Sequence, residues 1–226
     1  MEIMSEKKLT LYHGTSEDVF SPRFGSGRDY HDYGNGFYTT DDIEAAKEWA
    51  CQGERHSAFV YKYELSTAGL SILELDESNV LTWVSVLMTH RRGRKIRGAA
   101  RERCEKMIEL FGIDAAQHDI IRGFRANDSY FQFTADFVTD TISLDTLVKS
   151  ISAGNLGYQV CVKSERAYLQ LNAQAEPIKI ADTEFSVCHD RYMMKDSSAR
   201  ALANAYAGEL QSGKLLSDIL RERGVL

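Results

Sequence analysis

The sequence predicts an α+β fold built around one core. Short segments with period-two alternation predict strands, and longer segments with helical periodicity lie between them. At 226 residues, the chain has room for one sizeable domain. Hydrophobic residues at 43% and charged residues at 27%, with only two prolines, are typical of a folded chain without a proline-rich linker.

The first third of the chain predicts strands, a loop and one helix. Residues 8–15 alternate and break at Gly14, which predicts a short strand that carries His13 at its end. Thr40 or Asp41 is expected to cap the helix, because a side-chain oxygen there accepts from free N–H groups. The predicted strands are 8–15, 37–40, 58–65 and 70–75, of which the last two are expected to pair, and the predicted helix is 42–51.

The rest of the chain has mainly helical patterns. Apolar residues on one face predict helices within 77–111, as an insertion or a covering layer. Further helices are predicted at 128–138, at 143–153 and from a Ser164 cap to 171. Further strands are predicted at 119–123, at 158–162 and, as an edge strand, at 177–180, after which the pattern is helical again up to 222. We therefore expect a domain over 1–182 and a C-terminal helical extension over 183–226 packed on it.

Charge and cysteine content exclude several classes of protein. A net charge of −6 argues against broad, sequence-independent nucleic-acid binding, which needs an excess of Lys and Arg. The basic segment 90–97 is either a phosphate contact or a solvated helix end. Four widely spaced cysteines predict free thiols and no metal site. Without a signal-peptide pattern or an apolar run of roughly 20 residues, we expect a cytoplasmic protein with no membrane partner.

Three local features suggest a ligand site. His13-Gly14 puts an imidazole beside a backbone that a planar ligand can approach closely. Tyr38, which follows Gly34-x-Gly36-Phe37, and Trp49 can present two aromatic faces to a flat ring. Such a slot suits nicotinamide, which is cationic in NAD and gains from the ring faces. Structural roles stay open as well: a satisfied histidine at a strand end, and ordinary core aromatics.

In their order, these features resemble the His-Tyr-Glu branch of the ADP-ribosyltransferases, which includes diphtheria-type toxins and poly(ADP-ribose) polymerases. The chain is more closely similar to an uncharacterised bacterial domain family of unknown function that is assigned to that fold. The blocks that carry this similarity are 11–15, 32–40, 49–50, 125–128, 158–160, 164–167 and 216–222. The resemblance implies a split β-sandwich with surrounding helices, and NAD as a substrate.

The resemblance also implies roles for single residues. His13 would hydrogen-bond the adenosine-side ribose of NAD, and the Gly14 backbone would hold the nicotinamide carboxamide. Tyr38 would stack on the nicotinamide ring, with Trp49 as the second stacking ring. The other residues expected to contact NAD are Thr15, Asn127 and Arg125.

The chain departs from the family pattern at Gln159. Transferases of this branch have a glutamate there, whose carboxylate binds a ribose hydroxyl and stabilises the developing oxocarbenium charge. A neutral amide can still orient the sugar, but it lacks that charge, and losing such a contact costs roughly 3–4 kcal/mol in comparable sites. Asp128 and Glu165 are the alternative carboxylates, with helix capping and helix-dipole roles open for them. Arg122 and Arg125 are candidates to pair with the pyrophosphate.

The main functional hypothesis is an NAD-dependent ADP-ribosyltransferase that passes ADP-ribose to a protein or nucleic-acid acceptor. Its candidate catalytic residues are His13, Tyr38, Gln159 and Asp128. The alternative is a non-catalytic module that binds NAD, ADP-ribose or a nucleic-acid end, and it is favoured by Gln159. A toxin of a toxin–antitoxin or phage-defence pair is a biological role compatible with the transferase chemistry, and an antitoxin would then be a partner.

Overall fold

The protein is built from two β-sheets with helices around them, as seen in a computed structural model that describes residues 8–53, 57–91, 96–126, 128–154, 157–206 and 213–226. The strands in these ranges are β1 (Lys8–Thr15), β2 (Phe37–Thr39), β3 (Phe59–Ser66), β4 (Ile72–Leu75), β5 (Ile120–Phe124), β6 (Tyr158–Val162) and β7 (Leu171–Lys179). The helices are α1 (Ile43–Ala50), α2 (Val80–His90), α3 (Ala99–Phe111), α4 (Asp128–Val138), α5 (Leu144–Gly154), α6 (Glu165–Leu169), α7 (Asp182–Tyr206) and α8 (Leu216–Glu222). These elements confirm the predicted α+β class.

The strands form a three-stranded sheet in the order β1-β3-β7 and a four-stranded sheet in the order β2-β6-β5-β4. The predicted pairing of 58–65 with 70–75 is wrong, because β4 lies in the other sheet, parallel to β5. Antiparallel partners occupy both edges of β3, namely β1 and β7, so no edge is left for β4. An isolated bridge between Tyr12 and Thr40 connects the two sheets.

The two sheets face each other across a buried apolar cluster. Leu11 and Tyr63 contribute to it from the first sheet, and Phe37, Ile120 and Val160 contribute from the second. These side chains are at most 6% exposed. Burial of this apolar surface stabilises the sheet pair by roughly 25 cal/mol for each Å² removed from water.

Helices cover the outer faces of both sheets. Helices α1 and α7 enclose a cluster with β3 that contains Ala46, Cys51 and Cys188. On the second sheet, a larger cluster includes Trp83 and Leu87 of α2. The helices predicted within 77–111 are present as α2 and α3. Residues 92–95 of the basic segment lie outside the described ranges. Of the helices that the structure describes, none combines the length and apolar character needed to cross a bilayer.

Helix caps follow the predicted chemistry with one correction. Ser164 caps α6 as expected, because its side chain accepts from the Ala167 N–H. The cap of α1 is Asp42, which accepts from the Glu44 N–H, so the prediction of Thr40 or Asp41 is wrong. Thr40 instead accepts from the Asp42 N–H and donates to the Tyr158 carbonyl, because it belongs to the bridge between the sheets.

Candidate functional site

A cavity of about 430 Å³ opens where the ends of β1, β2 and β6 meet the first helix, and we call it the Tyr38 cavity. Its volume lies in the range of small-molecule sites. It is lined by Gly14, Tyr30, His31, Asp32, Tyr38, Trp49, Gln52, Arg91, Arg125, Ala126 and Gln159. A larger recess of about 600 Å³ near the start of α2 contains none of the predicted site residues.

Tyr38 is held rigidly in the cavity wall. Its hydroxyl donates to the Gly34 carbonyl at 2.7 Å and accepts from the Tyr33 N–H at 2.9 Å. The His31 ring meets its ring edge-on at a centroid distance of 5.3 Å. Burial raises the pKa of Tyr38 well above its usual value, so the phenol stays neutral. Because the hydroxyl is engaged in structural bonds, the ring of Tyr38 is the part available to a ligand.

Trp49 also lines the cavity, but the guanidinium of a neighbouring arginine covers part of its ring. The Arg125 side chain lies over the Trp49 ring at 4.8 Å and over the Tyr192 ring of α7 at 5.6 Å. Within the described ranges, Arg125 forms no ion pair or side-chain hydrogen bond, and burial lowers its pKa. The indole N–H of Trp49 is buried and has no described partner. Even a half-buried guanidinium without an anion is costly, which suits an anionic ligand group.

The imidazole of His13 lies beside the cavity and does not line it. Its Nδ1 lies 2.8 Å from the Tyr38 carbonyl oxygen, and its ring stacks on Phe20 at 4.5 Å and contacts Phe37. Burial lowers the pKa of His13 and so favours the neutral ring, while the hydrogen bond to the Tyr38 carbonyl opposes this effect. Since the carbonyl can only accept, Nδ1 carries the proton and Nε2 is left as an acceptor. His13 therefore supports the wall that Tyr38 forms.

Gly14 lines the cavity and lets α1 approach β1. A Cβ at this position would lie 1.9 Å from the Ala46 carbonyl oxygen and 2.8 Å from the Ala50 nitrogen. Any side chain would therefore push away the helix that carries Trp49. Thr15, the next residue, accepts from the Glu17 N–H and does not line the cavity.

Gln159 is buried in the cavity floor, where it bonds to a carboxylate. Its Nε2 donates to Oδ2 of Asp32 at 2.7 Å and lies 3.4 Å from the Phe124 carbonyl oxygen. Asp32 also accepts from Arg91 Nη1 at 3.1 Å and from the Ala126 N–H at 3.1 Å. Burial raises the pKa of Asp32, and the Arg91 guanidinium opposes that effect. Three donors, one of them the Arg91 guanidinium, stabilise the ionised form of this carboxylate and so oppose the effect of burial.

The other predicted site residues are placed differently. Glu165 is exposed at the start of α6, outside the cavity. Arg122 pairs with Asp41 at 2.8 Å and Glu74 at 3.4 Å, so its charge is already neutralised. Helix α4 begins at Asp128, but the Asp128 side chain and all of Asn127 lie outside the described part of the chain.

Sequence reasoning misses several residues of the cavity, above all Asp32. Asp32 begins the block 32–40, which the sequence pattern identifies only as a turn-rich approach to β2. The block is therefore recognised from the sequence, but the buried carboxylate in it is not. Tyr33 explains how that turn is anchored: it is fully buried and donates to the Phe124 carbonyl at 2.6 Å. His31 and Tyr192 give no local signal. Among the described residues, no group of three acidic, histidine or cysteine side chains is arranged to hold a metal ion.

The fold and the site define an α+β protein with an aromatic cavity that holds one paired carboxylate and one guanidinium without a described anionic partner. Residues 9–172 match the model of a family described as a protein of unknown function, DUF3990, and the chain belongs to that family. Neither a curated protein nor a solved structure matches the chain. Tyr192 and the rest of α7 lie beyond the matched residues.

Proposed function

We propose that the protein is an NAD-dependent ADP-ribosyltransferase, with NAD bound in the Tyr38 cavity. One observation carries the proposal: Gly14, Tyr38, Trp49 and Gln159, which lie far apart in the sequence, line one cavity. Each is expected at an NAD site on sequence grounds alone. The split β-sandwich of ADP-ribosyltransferases is part of the same proposal, and the two facing sheets are compatible with it.

The chemistry of the cavity walls suits the parts of NAD. The nicotinamide ring is flat and cationic, and the face of Tyr38 attracts such a ring. The pyrophosphate is anionic, and Arg125 is a half-buried guanidinium without a described anionic partner. Arg125 covers part of the Trp49 ring, so in this proposal Trp49 holds the arginine and Tyr38 provides the stacking face.

The test is calorimetric titration of the purified protein with NAD, followed by labelling of a cell lysate with tagged NAD. Tyr38→Ala should weaken NAD binding by at least about tenfold, because a base stacked on an aromatic ring contributes roughly 1–3 kcal/mol. Phe24→Ala is the matched control, since Phe24 is an exposed aromatic residue outside the cavity. Absence of both binding and labelling with the wild type would refute the proposal.

A second candidate is a module that binds NAD or ADP-ribose without turnover. The neutral side chain of Gln159 favours it, because no carboxylate stands at that position of β6. NAD binding without release of nicotinamide would support this candidate. The acceptor and the toxin role stay predictions, to be decided by mass spectrometry of labelled lysate and by cell growth during expression.

A further inference from the structure

We infer that Asp32 is the catalytic carboxylate of the Tyr38 cavity and that Gln159 is the residue that positions it. This inference rests on the proposed NAD chemistry. In this assignment the negative charge of the site lies on the loop before β2, and not on strand β6, where the transferases of this branch have their glutamate. The glutamine at position 159 then has a function of its own.

The carboxylate of Asp32 is in the right place for this role. Of the described residues that line the cavity, Asp32 is the only one with an acidic side chain. Its side chain is 11% exposed, so it contacts the cavity while being shielded from bulk water. In such a site a fixed charge acts on a nearby developing charge more strongly than it would in water.

Three donors fix the orientation of the carboxylate and leave one position free. Oδ1 accepts from Arg91, and Oδ2 accepts from the Ala126 N–H and from Gln159. A carboxylate has about four acceptor positions, so one of them, on Oδ1, has no described donor. A ribose hydroxyl of the ligand can donate to it without displacing a protein contact.

The amide of Gln159 can be placed in one orientation only. Both of its close neighbours, Asp32 Oδ2 and the Phe124 carbonyl, accept hydrogen bonds, so the NH₂ group must face them. A glutamate in its place would put a second carboxylate against Asp32. Two such groups cannot both ionise at hydrogen-bond distance, so one of them would keep its proton to a higher pH.

The reaction that Asp32 would assist is the cleavage of the nicotinamide–ribose bond. The bond from ribose C1′ to the nicotinamide nitrogen breaks, and its electron pair leaves on that nitrogen. Positive charge passes to C1′ and the ribose ring oxygen, where the carboxylate stabilises it. The acceptor oxygen or nitrogen then bonds to C1′ and releases its proton to solvent. With water as acceptor, the products are nicotinamide, ADP-ribose and one proton.

The experiment measures nicotinamide release and NAD affinity for the full chain, for Asp32→Asn and for Gln159→Glu. Asp32→Asn should lower kcat by roughly 100- to 1000-fold and NAD affinity by about tenfold. Glu165→Gln is the matched control, because it removes an exposed carboxylate outside the cavity and should leave both values unchanged. Equal kcat values for the wild type and Asp32→Asn would overturn the inference.

A pH profile of Gln159→Glu separates positioning from a general structural role. While the introduced carboxyl group is protonated, it can donate to Asp32 as the glutamine amide does, so this variant should be active on the acid side. It should lose activity as the pH rises and the shared proton leaves, while the wild type does not. Gain of activity in Gln159→Glu at all pH values would contradict the assignment. This profile also decides the question if Asp32→Asn fails to fold.

The failure of the inference can be told apart from failure of the proposed function. If the wild type binds NAD without turnover, the transferase proposal fails, and affinity alone decides the role of Asp32. Unchanged NAD affinity in Asp32→Asn would then overturn it. If the wild type does not bind NAD, both fail together.

Discussion

Arg125 is a cation held between the rings of Trp49 and Tyr192, with no described carboxylate against it. Arg125→Met keeps an unbranched stem between the two rings and removes the charge. We expect it to weaken the binding of ADP-ribose and NAD roughly 10- to 100-fold, since a hydrogen bond to a charged group contributes about 1.5–3 kcal/mol. Binding of nicotinamide riboside, which has no phosphate, should not change. Titration calorimetry gives both affinities.

Arg122→Met is the control for that experiment. Arg122 is neutralised by Asp41 and Glu74 outside the cavity, so its removal should leave the affinity for ADP-ribose intact. If the two arginine variants weaken binding equally, the anion site is not at Arg125.

The sequence predicts the role of some residues of the cavity and not of others. Tyr38 and Gly14 belong to short motifs, so their place in the cavity follows from local patterns. Asp32 does not, because an aspartate in a glycine-rich turn is ordinarily a turn residue. Its burial depends on Arg91 and Ala126, which are 59 and 94 positions away in the chain. Contacts at that separation become visible only in the folded chain.

Asp119 connects three elements at the opposite end of the second sheet. It precedes β5, accepts from the N–H and hydroxyl of Ser71 before β4, and pairs with Arg166 of α6. We expect Asp119→Asn to lower the free energy of unfolding by about 1–3 kcal/mol, because a buried charged acceptor is lost. Urea unfolding at neutral pH measures the change, and Asp18→Asn, at an exposed position, should have an effect within about 0.5 kcal/mol.

Acid should abolish the difference between Asp119→Asn and the wild type. Arg166 and the Ser71 donors hold the pKa of Asp119 below its ordinary value of 3.8. A lowered pKa in the folded state stabilises the protein above 3.8, and that contribution disappears as the pH falls towards the lowered value. A difference that persists unchanged at about pH 2 would contradict this account.

At the scale of elements, the sequence predicts most of the strands and helices but not how the strands pair. Period two identifies a strand that has one buried face, as in β1, and it does not identify the neighbour of that strand. Of the nine-residue strand β7, the pattern predicts only 177–180, because its residues are mostly exposed and do not alternate. Strand β7 lies at the edge of its sheet, where packing imposes little pattern.

The whole molecule should lose stability on mild acidification. Burial lowers the pKa of His13, His31 and His90 below the ordinary value of 6.5. The unfolded chain therefore binds protons at a higher pH than the folded one. Their contribution is complete above 6.5 and declines as the pH falls from 6.5 towards the lowered values. Unfolding free energies measured between about pH 7.5 and 5.5 should decrease.

His90→Gln should make that decrease smaller. The His90 ring lies against Gly34, where an added Cβ would be 2.6 Å from it, so this histidine packs against the loop before β2. After burial, the nearby charge of Lys163 contributes most to its lowered pKa. An equal pH slope in His90→Gln and the wild type would show that His90 does not contribute.

Helix α7 has a consequence for how this site can change. Tyr192 reaches the cavity arginine from a helix that lies outside the residues matched by the family model. Neither sheet depends on that ring for its hydrogen bonds. We therefore expect substitution of Tyr192 alone to change ligand preference while the two sheets and the loop before β2 stay as they are. For protein engineering, position 192 is therefore a place to alter ligand specificity without changing the hydrophobic core.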